Sequence, residues 1–235
     1  MLHVKDVNVA IAGIQVLRGV SLHVLSGKTT ILIGRNGAGK TTTLRAIMGL
    51  LPVQAGTIVM NNENIGLTAA YRRASQGIGF APEDRRLVPD FSVEDNITLP
   101  ALALGLPAAE RLCRLEEIYT LMPLLGAMRK RPGGAVSGGQ GKMVALGRAL
   151  MVARNALLLD EPFQGLAPAL ALEYVHILGV LRHNRPDLAM LITESTPALL
   201  DEIADETLQI ERGEICREVA ADIPKSAQDN ATSLR

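Results

Sequence analysis

A glycine-rich segment at residues 34–42 has the residue types that bind phosphate groups. It reads Gly34-Arg35-Asn36-Gly37-Ala38-Gly39-Lys40-Thr41-Thr42. Glycines let main-chain N–H groups turn inward toward phosphate oxygens, and a helix beginning at Gly39 would add the positive end of its dipole. Lys40 would reach the β- and γ-phosphates of a nucleotide, and the Thr41 hydroxyl would bind Mg²⁺. A plain strand-to-helix turn is the alternative, but the pattern favours a P-loop.

Two adjacent carboxylates could supply a metal ligand and a base. The apolar run 156–159 ends in Asp160 and Glu161. At the end of a buried strand, these carboxylates would lie at the sheet edge where α/β proteins bind ligands. Asp160 would hold Mg²⁺, directly or through water, and Glu161 would act as general base toward an attacking water. The alternative is a solvated polar strand end.

A third motif begins a helix. Val136 is followed by Ser137-Gly138-Gly139-Gln140 and then by apolar residues at helical spacing. Ser137 is a good N-cap, and the two glycines allow an anion to approach the helix N-terminus closely. Taken alone, this is an ordinary helix start. Its position between the P-loop and the carboxylate pair makes the combination specific.

The segments that would position these motifs alternate between strands and helices. Strand-like patterns occur at 2–9, 16–25, 30–33, 57–60, 77–81, 156–160, 188–193 and 207–211, and helical patterns at 39–51, 137–152 and 169–183. This alternation predicts an α/β fold with a parallel sheet covered on both faces. The leucine-rich stretch from about 93 to 131 has no convincing strand and predicts a helical insertion.

Composition excludes several classes of protein. The chain has 235 residues, with 24 Lys and Arg against 24 Asp and Glu. Because the formal charge is zero, binding through nucleic-acid phosphates is not expected, and no nucleic-acid partner is predicted. No uncharged stretch is long enough to predict a membrane span, and charges at Lys5 and Asp6 argue against a secretory signal. Cys113 and Cys216 alone predict neither a disulfide framework nor a zinc site.

The three motifs, in this order, resemble the Walker A, Walker B and signature motifs of the ATP-binding cassette (ABC) transporter ATPases, with Val136 where Leu is usual. The resemblance runs from the first strand to about Val219. It implies a P-loop NTPase cassette fold with a mostly parallel core sheet, an antiparallel β subdomain and an α-helical subdomain. We expect a nucleotide-binding domain over 1–220, its helical subdomain at about 93–152, and a disordered tail over 221–235.

Further segments resemble the second ATPase subunit of branched-chain amino acid uptake systems, or the similar urea-uptake subunit. They are residues 34–37, 48–52, 81–86, 93–96 and 165–168. The resemblance implies that ATP and Mg²⁺ are bound, and that two cassettes, identical or different, face each other head to tail. Residues 137–140 of one would then contact the γ-phosphate held by the other. It also implies two membrane permease subunits, a periplasmic solute-binding protein acting indirectly, and a peripheral location on the cytoplasmic face of the membrane.

Three positions depart from the family pattern. An aromatic residue usually stacks on adenine where this chain has Ile11, and the loop leading to the helical subdomain usually presents Gln where it has Glu83. Glu at that position is common in the branched-chain subgroup, so the resemblance implies that Glu83 serves catalysis and the metal; a solvated loop acid is the alternative. A switch His is replaced by Glu194, or by Ser195 if the alignment slips by one.

A carboxylate at the switch position would oppose a nearby γ-phosphate by like charge. Glu194 is therefore expected to be protonated or turned away, or the site to hydrolyse ATP slowly. The leading functional hypothesis is an ATP-hydrolysing importer subunit. The alternative is a catalytically degenerate nucleotide-binding partner of a second cassette. A soluble cassette acting on DNA or ribosomes is disfavoured by the neutral charge.

Overall fold

A computed structural model describes residues 1–196 and 198–219 of the chain. The predicted tail, 221–235, lies outside the described residues. Within them, the core is a six-stranded sheet of order β10-β9-β3-β8-β7-β6. Its strands are β3 (Thr29–Ile33), β6 (Ile78–Ala81), β7 (Ala156–Asp160), β8 (Ala189–Glu194), β9 (Glu206–Glu211) and β10 (Glu214–Val219). All neighbouring pairs are parallel except β9 and β10.

The central strands β7 and β8 are mostly apolar because both faces of the sheet are covered there. Every residue of β7 is buried, and every residue of β8 likewise. The helices connecting the sheet strands include α1 (Lys40–Ile47), α6 (Gly138–Leu150) and α7 (Pro168–Asn184). Since parallel strands end at the same edge, the carboxyl ends of β3, β7 and β8 meet where the P-loop begins and where the carboxylate pair and the switch position lie.

A second, antiparallel sheet has the order β2-β1-β4-β5. It consists of β1 (Leu2–Ile11), β2 (Ile14–Val24), β4 (Ala55–Met60) and β5 (Glu63–Asn64). Leu2 and Val4 face the core, and an irregularity at Asp6, whose φ is +52°, restores Val7 and Val9 to the same face. This sheet corresponds to the predicted antiparallel β subdomain.

Helices fill the predicted insertion. They are α3 (Val93–Ala103), α4 (Ala108–Leu121) and α5 (Pro123–Ala127), followed by a 3₁₀ turn (Gly133–Ala135) and α6. Ser92 and Asp95 form a capping box that begins α3. Buried residues on these helices, among them Ile97, Ile118 and Leu125, share one core with α6 and β7. The domain bounds of 1–220 and about 93–152 remain predictions.

Several element bounds differ from the sequence prediction. The helix predicted over 39–51 ends at Ile47, because Gly49 has a φ of +68° and the chain turns there. The strand predicted from residue 77 begins at Ile78, since Gly77 has a φ of +78°. The short elements β5 and α2 (Ala70–Ser75), and the strand β10, were not predicted. In the part of the chain that the structure describes, no helix is long and apolar enough to span a membrane.

Close approach of α6 to the sheet yields a stability prediction. A Cβ at Gly79 of β6 would lie 2.3 Å from the Ala149 carbonyl oxygen, whereas a Cβ at Gly179 of α7 would meet nothing within 4 Å. Gly79→Ala should therefore lower the free energy of unfolding by roughly 2 kcal/mol or more. Gly179→Ala, a matched change in an open helix position, should raise it by about 0.5–1 kcal/mol. Urea unfolding of both variants measures the contrast, and equal effects would contradict it.

Candidate active site

The segment between β3 and α1 folds as a loop that needs its glycines. A Cβ at Gly34 would lie 2.5 Å from the Ile210 carbonyl oxygen. Gly39 has a φ of +116°, and a Cβ there would lie 2.9 Å from Leu17. Gly37 has a φ of +81°. Close neighbours at Gly34, a positive φ at Gly37 and both together at Gly39 mean that larger residues at these positions would strain the loop.

The loop borders a cavity of about 260 Å³. The amide of Ala38 donates to the Arg35 carbonyl at 3.0 Å. Among the described residues, no acceptor pairs with the amides of Asn36, Gly37 or Gly39. Unpaired amides beside the N-terminus of α1 are suited to hold an anion. The lining residues are Val16, Asn36, Gly37, Gly39, Lys40, Thr41, Thr42, Glu83, Glu161 and Gln164.

Lys40 is buried in this cavity wall, with 3% of its surface exposed. Its Nζ lies 2.9 Å from Glu161 Oε1, and it donates to the Gly34 carbonyl at 2.6 Å and the Arg35 carbonyl at 3.2 Å. The ion pair joins the P-loop to the residue after β7. The cation of the loop and the candidate general base therefore share one site.

Asp160 and Thr41 form an oxygen-rich pair beside Lys40. The Thr41 hydroxyl donates to Asp160 Oδ1 at 3.0 Å, and the Thr193 hydroxyl donates to the same oxygen at 2.9 Å. Burial raises the pKa of Asp160, and these two hydrogen bonds oppose that rise. Within the described residues, no group of three or more His, Cys, Asp or Glu could hold a metal. A hydroxyl and one carboxylate fit Mg²⁺, which keeps several waters and takes its other ligands from substrate phosphates.

Glu161 has an unusual backbone conformation for a non-glycine residue, with a φ of +43°. Its amide donates to the Thr193 carbonyl at 3.0 Å. Its carboxylate Oε1 lies 3.3 Å from the Ser195 hydroxyl as well as 2.9 Å from Lys40. Left-handed backbone at a non-glycine residue persists only where the surroundings hold it in place.

The structure separates the two candidates for the switch position. The Ser195 hydroxyl lies 3.1 Å from Asn36 Oδ1 and 3.3 Å from both Glu161 Oε1 and Lys40 Nζ. Glu194 instead accepts from the Phe163 amide at 2.9 Å. Ser195 therefore faces the P-loop. Glu194 points away from the P-loop, because consecutive residues at the end of a strand point to opposite sides, and its role in catalysis stays a prediction.

Burial also makes Glu194 easy to protonate. The residue is 6% exposed, and loss of solvation raises the pKa of Glu194 to about 7. The hydrogen bond from Phe163 opposes this rise, and the nearby Glu161 carboxylate adds to it. The sequence led us to expect that Glu194 would be protonated, turned away from the P-loop, or a cause of slow hydrolysis. In the structure its side chain is turned away from the P-loop.

The remaining predicted residues lie around the cavity or apart from it. Glu83 is exposed and lines the cavity, just after β6. Ile11 is 43% exposed at the end of β1 and does not line it, although Val16 of β2 does. Arg35 and Ala38 belong to the loop without lining the cavity.

The signature segment stands outside this cavity. Ser137 Oγ accepts from the Gln140 amide at 3.2 Å, and Gln140 Oε1 accepts from the Ser137 amide at 3.0 Å, which is a capping box. Ser137 and Gly138 are exposed, and Gly139 and Gln140 are half-buried. None of the four lines the cavity. The structure thus brings the P-loop, Glu83 and the carboxylate pair together, and leaves residues 137–140 on a separate surface.

Sequence analysis missed four residues at or near the site. Thr193 holds Asp160, and Lys142 donates to the main-chain carbonyl of Glu161. Val16 and Gln164 line the cavity. Only Thr193 carried a signal, as a polar residue at the end of an apolar strand. Gln164 follows Glu161 in the same loop, whereas Val16 and Lys142 reach the site through the packing of other elements.

The buried carboxyl of Glu194 yields a prediction on pH and stability. Its pKa in the folded chain, about 7, exceeds the ordinary value of 4.5. The protonated form therefore stabilises the fold at low pH, and this contribution is lost as the pH rises through about 7. Between pH 5 and 8.5 the free energy of unfolding should fall by roughly 2 kcal/mol more in the wild type than in Glu194→Gln. Urea unfolding across this pH range tests it, and parallel pH profiles would contradict it.

Comparison with known proteins agrees with this geometry. Residues 17–164 match the family model described as ABC transporter. The lipopolysaccharide export system ATP-binding protein LptB of Escherichia coli K12 is 35% identical over 191 residues, which are 81% of this chain and 78% of LptB. The high-affinity branched-chain amino acid transport ATP-binding protein BraG of Pseudomonas aeruginosa is 31% identical over 215 residues, 92% of this chain and 91% of BraG.

Solved structures have the same fold. The ADP conformation of an ATP-binding cassette of an ABC transporter superposes with a TM-score of 0.80 and 26% identity, over 93% of this chain and 90% of that one. A dimeric bacterial ABC transporter cassette, with a TM-score of 0.83, 23% identity and coverage of 93% and 98%, shows the fold alone. The predicted cassette fold and family resemblance are confirmed: the chain belongs to the ABC transporter family, as one of its ATP-binding, ATP-hydrolysing cassettes.

Proposed function

We propose that this chain is the ATPase subunit of an ABC importer for branched-chain amino acids or a related small polar solute. The observation that carries hydrolysis is the position of Glu161, whose carboxylate shares one cavity with Lys40 and Thr41. The solute class is supported by likeness to BraG over nearly the full length of both chains. The five short segments that resemble the branched-chain subgroup support it as well.

In the proposed reaction, the loop amides and Lys40 bind the triphosphate of ATP. A water attacks the γ-phosphorus and the bond to the bridging oxygen breaks, so that ADP and phosphate form. Glu161 accepts the proton of that water, and the ion pair with Lys40 orients its carboxylate. Mg²⁺, held by Thr41, Asp160 and Glu83, would neutralise charge on the phosphate oxygens. Ser195, with Asn36, takes the place of the usual switch His.

A second cassette is proposed to complete the site, as a copy of this chain or a paralogue. Residues 137–140 lie outside their own cavity and present an exposed helix N-terminus, which suits contact with a nucleotide held by the partner. Two membrane permease subunits would dock near Glu83 and the helical subdomain on the cytoplasmic face of the membrane. A periplasmic solute-binding protein would deliver the solute to them.

Two other functions are each favoured by one observation. The 35% identity to LptB favours export of a lipid-linked solute rather than import. Ser195 facing the P-loop, at the position where the family usually has His, favours a degenerate cassette that binds ATP while its partner hydrolyses it. Leucine uptake into vesicles carrying the chain with its permeases separates import from export. Steady-state ATPase activity of the purified chain separates an active cassette from a degenerate one.

The base role of Glu161 predicts a split between catalysis and binding. Glu161→Gln keeps the side-chain size and removes the proton acceptor, so kcat should fall at least about 100-fold while the Kd for Mg-ATP changes less than about threefold. Lys40→Ala should instead weaken ATP binding at least tenfold. Phosphate release and a fluorescent ATP analogue measure the two quantities. Undiminished turnover in Glu161→Gln would contradict the proposal.

The exposed position of Ile11 leaves room for an aromatic residue beside the nucleotide. Stacking of a base on an aromatic ring contributes about 1–3 kcal/mol, so Ile11→Tyr should tighten ATP binding about tenfold. Leu67→Tyr, a matched change at a fully exposed residue away from the cavity, should leave the Kd unchanged. ATP titration of the three proteins measures this. An unchanged Kd in Ile11→Tyr would place adenine elsewhere.

A further inference from the structure

A lysine on the signature helix reaches the main chain of the candidate base. Lys142 lies in the second turn of α6, and its Nζ donates a hydrogen bond to the main-chain carbonyl of Glu161. The Gln164 amide donates to the same carbonyl at 3.3 Å. The ammonium group thereby connects two segments that are 19 residues apart in sequence.

The half-buried Lys142 donates to a neutral carbonyl although carboxylates lie nearby. Three carboxylates, of Glu194, Glu83 and Glu161, lie near enough to act on the charge of Lys142. Burial lowers the pKa of Lys142, and these carboxylates oppose that change. Within the described residues, however, no carboxylate oxygen lies within 4 Å of its ammonium group. The ammonium group donates to a neutral carbonyl instead, and this hydrogen bond restrains the main chain of Glu161.

That carbonyl belongs to a residue whose conformation must be held. Glu161 is in left-handed backbone, with a φ of +43°. On one side, its amide donates to Thr193 of β8. On the other side, its carbonyl is held by Lys142. The two sets of bonds fix the peptide groups that flank the catalytic carboxylate, and the carboxylate is then placed against Lys40.

The same helix carries the signature residues at its beginning. Gly138 and Lys142 are four residues apart, hence on one face of α6 and about 6 Å apart along its axis. The helix is packed into the core along most of its length, with buried residues from Gly141 to Leu150. A displacement of its N-terminus would therefore move Lys142 with it.

We propose that Lys142 is a positioning residue that ties the Glu161 main chain to α6, so that the placement of the hydrolytic carboxylate depends on how residues 137–140 are seated. The inference rests on the proposed function, in which those residues contact nucleotide held by a second cassette. Lys142 would then connect the binding of nucleotide at one site with the placement of the Glu161 carboxylate at the other.

The first test separates positioning from binding in the purified full-length chain. Lys142→Met keeps the apolar stem and removes the ammonium group. Since small misplacements of a catalytic group reduce rates strongly, kcat should fall about 10- to 100-fold while the Kd for ATP changes less than about threefold. Lys130→Met, at an exposed lysine, is the matched control and should be unchanged. If the Met variant is poorly folded by circular dichroism, Lys142→Gln carries the same expectation.

The second test addresses the connection to the signature residues by a double-mutant cycle. If the two act through one path, Ser137→Ala combined with Lys142→Met should lower kcat no more than about threefold beyond the worse single variant. Fold-losses that multiply would overturn the inference, as would wild-type kcat in both Lys142 variants. Failure of the proposed function looks different: the wild type lacks ATPase activity, or Glu161→Gln retains it.

Discussion

The buried ion pair between Lys40 and Glu161 is the interaction on which the site depends. Each partner is almost fully buried, so removing either would leave an uncompensated charge, at a cost of about 3–5 kcal/mol. Lys40 is placed by the P-loop between β3 and α1, and Glu161 by the end of β7. The pair forms because β8 lies between β3 and β7 in the sheet, with parallel register across all three strands.

Strand β8, between β3 and β7, also contributes polar side chains that contact the carboxylate pair. Thr193 of β8 donates a hydrogen bond to Asp160, and Ser195, which follows the strand, contacts Glu161. The two hydroxyls orient both carboxylates. Glu194, between them, points the other way and is held by Phe163. A single strand end thus supplies two hydroxyls to the carboxylate pair and a buried carboxyl that points toward the Phe163 amide instead.

The nucleotide cavity and the signature segment lie on different surfaces of one chain. P-loop residues, Glu83 and Glu161 line one cavity, whereas residues 137–140 begin α6 elsewhere with a closed capping box. This arrangement favours a working unit of two cassettes. The bond from Lys142 to Glu161 is the short physical path by which the two surfaces of one chain could communicate.

The three motifs and the fold class could be predicted from the amino-acid sequence. The glycine spacing of the P-loop, the apolar run before Asp160 and the N-cap at Ser137 depend on local backbone and hydrogen-bonding chemistry, so their identity and order predicted the family and the cassette fold. The short elements β5 and α2 gave no periodic pattern, because two and six residues are too few to show that a repeat recurs.

The choice between Glu194 and Ser195, and the contact of Lys142 with Glu161, had no local signal. Both depend on which side of β8 faces α1 and on how α6 packs against β7. Sequence by itself determined which chemical groups are present and the fold that collects them. Tertiary structure alone decided which groups meet, because the direction of a side chain at a strand end is set by packing between elements far apart along the chain.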